Sequence, residues 1–208
     1  MNERRIDAVL FDLDGVLINS FESWYRAFTA MLSAYGREEI SREVFKSKYW
    51  GRDLWHNRAS LNLGGDAARY CESEQQNMIE LIRLSPDVEE ILHCIKGKYK
   101  LKVGLVTNTP RENVNKIFEH FCLSNHFDVI LTRDDVKRGK PDAEMVIKAC
   151  EQLNVKPEHA VLVGDTTADS QAGKAAGCLV IGIGRESAGD VRIETLYELF
   201  TVLDGTTR

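Results

Sequence analysis

Disulfide chemistry is the first thing this 208-residue sequence does without. Its cysteines are Cys71, Cys94, Cys122, Cys150 and Cys178, an odd count in which no two stand as C-x-x-C. Scattered thiols of this kind fit a reducing compartment and supply no disulfide framework. His120, Cys122 and His126 match no common zinc spacing. No apolar run reaches the roughly 18 residues of a membrane span. The opening MNERRIDAVLFDLDG has a basic start, but Asp7, Asp12 and Asp14 interrupt its short apolar run before a signal segment could form. The expectation is a cytoplasmic protein with no membrane partner. An excess of positive charge is missing too: Lys+Arg 27 against Asp+Glu 32 gives a net charge of −5. A mildly acidic chain is a poor general binder of nucleic acid. There is no internal repeat and no low-complexity tract. There is no Walker A loop, because Ala168 stands where the first glycine before Gly173-Lys174 is required. Gly182-Ile183-Gly184 never completes G-x-G-x-x-G.

What is present is ordinary globular material, 43% hydrophobic and 28% charged. A chain of this length buries a large core without staples. Proline is scarce, at four residues. Pro86, Pro110, Pro141 and Pro157 each read as the opening of a helix or helical turn, where the missing N–H costs nothing. Thr109-Pro110-Arg111-Glu112 also has the pattern of a capping box. Between these points lie short Val/Ile-rich runs: residues 6–11, 101–106, 127–131, 160–163 and 179–183. Their continuous apolar character predicts strands buried on both faces. Helical periodicity over residues 112–121, 142–153 and 168–176 separates the last four. In the second, Met145, Val146, Ala149, Cys150 and Leu153 form one stripe. The alternation predicts a parallel α/β sheet with crossover helices.

The first strand breaks that rhythm. Far too many residues separate Phe11 from Leu101 for one crossover. The intervening stretch opens with Phe21, Trp24, Tyr25, Phe28, Met31, Leu32 and Tyr35 at helical spacing, and helical patterns continue to Leu84, interrupted at Gly64-Gly65. Residues 19–84 read as an inserted helical domain, with residues 1–18 and 85–208 as the sheet domain and residues 86–96 as a helix returning to it.

Four features fall at strand C-terminal ends, where open α/β sheets place their sites. They are Asp12-Leu13-Asp14-Gly15, Thr107-Asn108, Lys140 in the run Arg138 to Asp142, and Gly164-Asp165 with Asp169. Singly, each is an ordinary turn, cap or surface residue. Together, several carboxylates at one sheet edge repel one another unless a cation neutralises them. Carboxylate oxygens with no His or Cys beside them suit Mg²⁺.

The order DLDGV, LVTN, GKPD and VGDTTAD resembles the haloacid dehalogenase superfamily of phosphohydrolases over essentially the whole chain. The insertion resembles the small helical cap found in phosphoglycolate phosphatases and β-phosphoglucomutases. The resemblance implies a Rossmann-like core with a cap. It implies Asp12 as nucleophile, Asp14 as general acid/base, and Thr107 and Lys140 as ligands of the transferring phosphoryl group, with Asn108 beside them. It implies Mg²⁺ held by Asp12, the Asp14 backbone carbonyl and Asp165, with Asp169 in support through water. Two departures are Asn19 and Ala143, which stand where the family often has Asp and Pro. Dehalogenases of the superfamily lack the second Asp of D-x-D, so Asp14 argues against that activity.

The physics suits these roles. A phosphomonoester dianion repels an Asp nucleophile, so the site needs Mg²⁺ and Lys140, and a hydrogen bond from Thr107. An aspartyl-phosphate divides one hard displacement into two easier ones. Within the insertion, Lys48, Trp50, Gly51, Arg52, Trp55, His56 and Arg58 cluster. Arg52 is a candidate contact for an anionic substrate group, and the tryptophans read as cap core. The alternating Lys96, Lys98, Lys100 and Lys102 read as a solvated turn and strand edge. The expected activity is a Mg²⁺-dependent phosphatase on a small soluble phosphate ester. A phosphomutase, a pyrophosphatase and a non-enzymatic binder of a phosphorylated metabolite are the rivals. Substrate identity and oligomeric state stay open.

Overall fold

The computed structural model describes residues 5–184 and 187–206; the basic start at residues 1–4 lies outside them. Strand β1 (Ala8–Phe11) and the two-residue β2 (Ile18–Asn19) lead into four helices, α1 (Phe21–Ala34), α2 (Arg42–Lys48), α3 (Leu54–Ser60) and α4 (Gly65–Gln76). The chain returns through β3 (Arg83–Leu84) and α5 (Val88–Gly97). Then come β4 (Lys102–Val106), α6 (Arg111–Phe121), β5 (Val129–Leu131), α7 (Glu144–Leu153) and β6 (Ala160–Gly164). The last elements are α8 (Thr167–Ala176), β7 (Leu179–Ile183), β8 (Val191–Ile193) and α9 (Leu199–Thr206). Among the described residues no helix is long and apolar enough to cross a membrane.

Six strands form a parallel sheet in the order β5-β4-β1-β6-β7-β8. This is the parallel α/β sheet predicted from the strand–helix alternation and the Rossmann-like core that the resemblance implies. Alternation along β1 sorts the core into two layers. Val9 and Phe11 pack with α5, α6 and α9 through Ile91, Ile95, Val114, Ile117, Leu199 and Leu203. Ala8 and Leu10 pack on the other face with α7 and α8 through Met145, Ala149, Leu153 and Ala172. Helices therefore cover both faces, as an apolar parallel sheet requires.

A third hydrophobic cluster is built within the inserted helices, from Ala27, Phe28, Met31, Leu32, Phe45, Leu54, Ala67 and Cys71 among others. The chain leaves and re-enters the sheet region side by side: β2 pairs antiparallel with β3, Ile18 opposite Leu84. The helical reading of residues 79–84 is corrected here, since the chain forms a 3₁₀ turn and then β3. Strand β8 and helix α9 also went unread. Three proline expectations shift as well. Pro86 lies just before Asp87, the N-cap of α5, and so outside that helix. Pro110 is itself the N-cap of α6 rather than its first residue, and α7 begins at Glu144, three residues past Pro141, where Asp142 Oδ1 accepts from the Glu144 N–H at 2.9 Å.

Candidate active site

β1 ends immediately before Asp12, whose N–H donates to Val163 O of β6 at 3.0 Å. The carboxylate is therefore delivered at the middle of the sheet edge. Its Oδ1 accepts from the Leu13 N–H at 2.7 Å and lies 2.8 Å from Lys140 Nζ; among the described residues Oδ2 takes no hydrogen bond or ion pair. Lys140 is 2% exposed, so its charge is unscreened by water and needs acceptors. It finds three: Asp12, Asp169 Oδ1 at 2.6 Å and Val106 O at 2.9 Å. All three N–H bonds of the ammonium are thereby used on protein oxygens. Burial alone would pull the lysine pKa down, but the two carboxylates outweigh it and hold it above the usual value.

Asp169 belongs to a capping box at the start of α8, with Thr166 as its partner. Asp165, the last residue before that cap, has a different standing. Its Oδ1 is buried and makes no hydrogen bond, while Oδ2 accepts the Trp50 indole N–H at 3.2 Å. Burial, then the Asp169 charge, pushes the Asp165 pKa up to about 7. Burial and Asp169 also raise Asp12 well above the ordinary carboxylate value, against the opposing pull of Lys140. Oxygens of Asp12, Asp165 and Asp169 all lie within 4.8 Å of one another. One lysine does not balance three carboxylates. A buried orphan oxygen within an all-oxygen donor set is what a hard divalent cation would satisfy. Gly15 closes this corner: at φ +80° and with a Cβ position 2.1 Å from Asp165 Oδ2, no side chain fits there.

Asp14 is held separately. Ser20 Oγ and Trp24 Nε1 (3.0 Å) donate to its Oδ1, and Thr109 Oγ1 donates to Oδ2. The capping box expected at Thr109 does not form, because its hydroxyl serves Asp14 instead. Thr107, 1% exposed, accepts from the Thr109 N–H at 3.1 Å and keeps its own hydroxyl proton without a protein acceptor. Asn108 does not offer its side chain freely. Its Nδ2 donates to Lys140 O (2.9 Å) and Gly51 O (3.2 Å), and its Oδ1 accepts from the Lys140 N–H at 2.9 Å.

The inserted segment closes over this edge. Gly51, at φ +72°, runs so close to Thr166 that an added Cβ would lie 2.4 Å from its methyl. Asp53 pairs with Arg133 and caps α3 through the Trp55 N–H. Trp24, from its place in the helical stripe, and Trp50, read as core of the insertion, both pack against the cluster of the inserted helices, yet their N–H groups reach the sheet-edge carboxylates. That second role was missed. A buried indole N–H usually finds a partner, but nothing local names which one. Arg52 is exposed, makes no ion pair among the described residues, and lines the cavity beside Asp12 and Asp14.

A family match spans residues 9–183, to haloacid dehalogenase-like hydrolases. The chain belongs to this family. The phosphorylated carbohydrates phosphatase of Thermotoga maritima is 30% identical over 178 residues, 83% of this chain and 82% of that protein. The pyrophosphatase PpaX of Bacillus cereus is 33% identical over 216 residues, 98% and 99% of the two chains. Among solved structures, β-phosphoglucomutase from Clostridium difficile superposes with TM-score 0.85 at 21% identity, covering 97% of each chain. CbbY from Rhodobacter sphaeroides, in complex with phosphate, gives 0.81 at 24% identity over 93% of this chain and 96% of that one. These structural likenesses show that the fold is shared. The phosphatase character expected from the four motifs agrees with the family.

Proposed function

We propose that the chain is a Mg²⁺-dependent phosphomonoesterase that works through an aspartyl-phosphate on Asp12, with residues 19–84 as a cap over a core of residues 1–18 and 85–208. The observation that carries this reading is Asp165 Oδ1, buried without a partner beside Asp12, where Lys140 is already saturated.

Asp12 Oδ2, free of protein partners, attacks phosphorus in line, and the bond from phosphorus to the ester oxygen breaks. Asp14, fixed by Ser20, Trp24 and Thr109, gives its proton to the departing alkoxide. Thr107 donates its hydroxyl proton to a phosphoryl oxygen. Lys140 keeps the Asp12 charge paired before attack and faces the acyl-phosphate after it. In the second half Asp14 takes the proton from a water whose oxygen attacks phosphorus, releasing phosphate and restoring Asp12. Asp12, Asp165 and the Asp14 backbone carbonyl would hold Mg²⁺, with Asp169 behind them. The ion supplies charge neutralisation of the phosphoryl oxygens and lowers the raised carboxylate pKa values. Water as the acceptor, rather than a second sugar hydroxyl, needs only Asp14 and an entry path. The reducing cytoplasm is the matching compartment, since none of the five cysteines, all among the described residues, is held in a disulfide.

The test is phosphate release from a panel of small esters, with Mg²⁺ and with excess chelator. Metal-dependent release from the wild type, absent in Asp12→Asn, supports the reading. Full activity in chelator, or an isomeric sugar phosphate with little free phosphate, overturns it.

A further inference from the structure

Two cavities meet at the cap loop. The inner one, of about 60 Å³, is lined by Asp12, Asp14 and Thr107 on the core side. The outer one is a cleft of about 1240 Å³ that reaches Lys140 and Asp165 but neither Asp12 nor Asp14. Trp50 and Arg52 line both. Under the proposed mechanism the proton donor Asp14 must touch the departing oxygen, so the leaving group sits in the inner chamber. Its chemistry is then set by that chamber's remaining walls.

Five aromatic residues, Trp24, Phe28, Phe45, Tyr49 and Trp50, line it from the inserted segment, with Leu54, Asn57 and Arg52 beside them. They interlock, with ring centroids 5.2 Å apart for Phe28–Phe45, 4.8 Å for Phe28–Tyr49 and 6.2 Å for Phe45–Trp50. Their donors are already committed. The Trp24 and Trp50 N–H groups serve Asp14 and Asp165, Thr109 serves Asp14, and Asn57 Nδ2 donates to Tyr49 O at 2.9 Å. With Thr107 turned to the phosphoryl group in the proposed mechanism, what the inserted segment leaves for a leaving group is mainly ring surface, Leu54 and the Tyr49 hydroxyl, which makes no hydrogen bond among the described residues. A second anionic group placed there would lose its hydration with little in return. Among the described residues, the cation on this lining is Arg52, which is exposed and shared with the outer cleft.

We infer that the substrate is the monoester of a small, uncharged alcohol with an apolar or C–H-rich face, and that the aromatic wall selects against leaving groups carrying a second negative charge. This rests on the phosphomonoesterase reading of the same site. It separates the chain's preference from that named for its pyrophosphatase relative.

The experiment compares kcat/KM of the full chain with Mg²⁺ on phenyl phosphate and glycerol phosphate against pyrophosphate and phosphoglycolate. The uncharged alcohols should lead by at least about tenfold. Equal or better turnover of either charged compound overturns the inference, and if Arg52→Ala removes that advantage, selection belongs to Arg52. Binding of phenyl phosphate and pyrophosphate to Asp12→Asn, followed by tryptophan fluorescence, reads the same preference without chemistry. If no compound is hydrolysed yet phenyl phosphate binds at least about tenfold tighter, the hydrolase reading fails and the selectivity stands. If pyrophosphate binds as tightly or tighter, or neither compound binds, the selectivity fails.

Discussion

Trp50 and Asp165 are 115 positions apart in the chain and 3.2 Å apart in space, the indole N–H donating to carboxylate Oδ2. One is carried by the cap and the other by the sheet edge. Asp165 therefore registers whether the loop around Gly51 is seated. A hydrogen bond to a charged acceptor contributes about 1.5–3 kcal/mol. Trp50→Phe keeps a ring in the aromatic cluster and removes only the donor. KM should rise roughly tenfold with a smaller change in kcat, since the seated cap is what is destabilised. An unchanged KM in steady-state kinetics would show that this contact has no part in closure.

Asp12→Asn should lower turnover by at least about a thousandfold, because an amide cannot form the acyl-phosphate. Substrate should still bind, since repulsion between carboxylate and phosphate is gone. Single-turnover assays and direct titration measure the two effects separately. Turnover within tenfold of wild type would refute the covalent role.

Asp165→Ala should sharply raise the Mg²⁺ requirement. In the wild type, Mg²⁺ at many times its dissociation constant should raise Tm by several degrees, because it binds the folded state alone. The variant should lose most of that shift, which a thermal melt reads without any turnover. Ca²⁺ should inhibit, since its larger and looser coordination spoils in-line geometry. A variant whose melting still responds to Mg²⁺ as wild type does would remove Asp165 from the metal site.

Glu72 on α4 gives a pH prediction. Burial, then the Asp134 charge, raises its pKa from the ordinary 4.5 to about 7; Glu112 and Asp53 push the same way, and Arg69 opposes them. The folded chain thus holds this proton up to higher pH than the unfolded chain does. Stability contributed here falls as pH rises from about 4.5 to about 7, and stays low above it. Glu72→Gln should stabilise the protein at pH 8 by on the order of 1 kcal/mol, discounted for partial exposure, or a few degrees in Tm. The gain should vanish near pH 4.5, below which both states of the wild-type carboxyl are protonated. A gain independent of pH would assign the effect to packing.

Sequence legibility divides along the range of the forces involved. The five apolar strands are readable because burial on both faces demands unbroken Val/Ile/Leu runs, as in Val161-Leu162-Val163. Asp12, Thr107, Lys140 and Asp165 are readable as a group because parallel strands must bring their C-terminal ends to one edge. Pairs as short as Ile18–Leu84 are not, since two residues carry no period and exist through their partner. Thr109 shows the same limit in reverse. Its local pattern favours a cap, yet Asp14, 95 positions away, takes the hydroxyl. Trp50 could be assigned to the core of the inserted segment as a large aromatic residue, but not opposite Asp165, which depends on how the loop around Gly51 lands.

The position of β1 sets two clocks in the molecule. All four of its residues are wholly buried, and it is hydrogen-bonded along both edges, to β4 and β6. Its amides can exchange with deuterated water only when the sheet itself opens, so they should label last. The cap loop around Gly51 is held by a few side-chain contacts and should label orders of magnitude sooner. The Asp12 carboxylate thus follows directly on the strand expected to exchange last, while Trp50 and Arg52, which line both cavities, sit on the segment expected to exchange first.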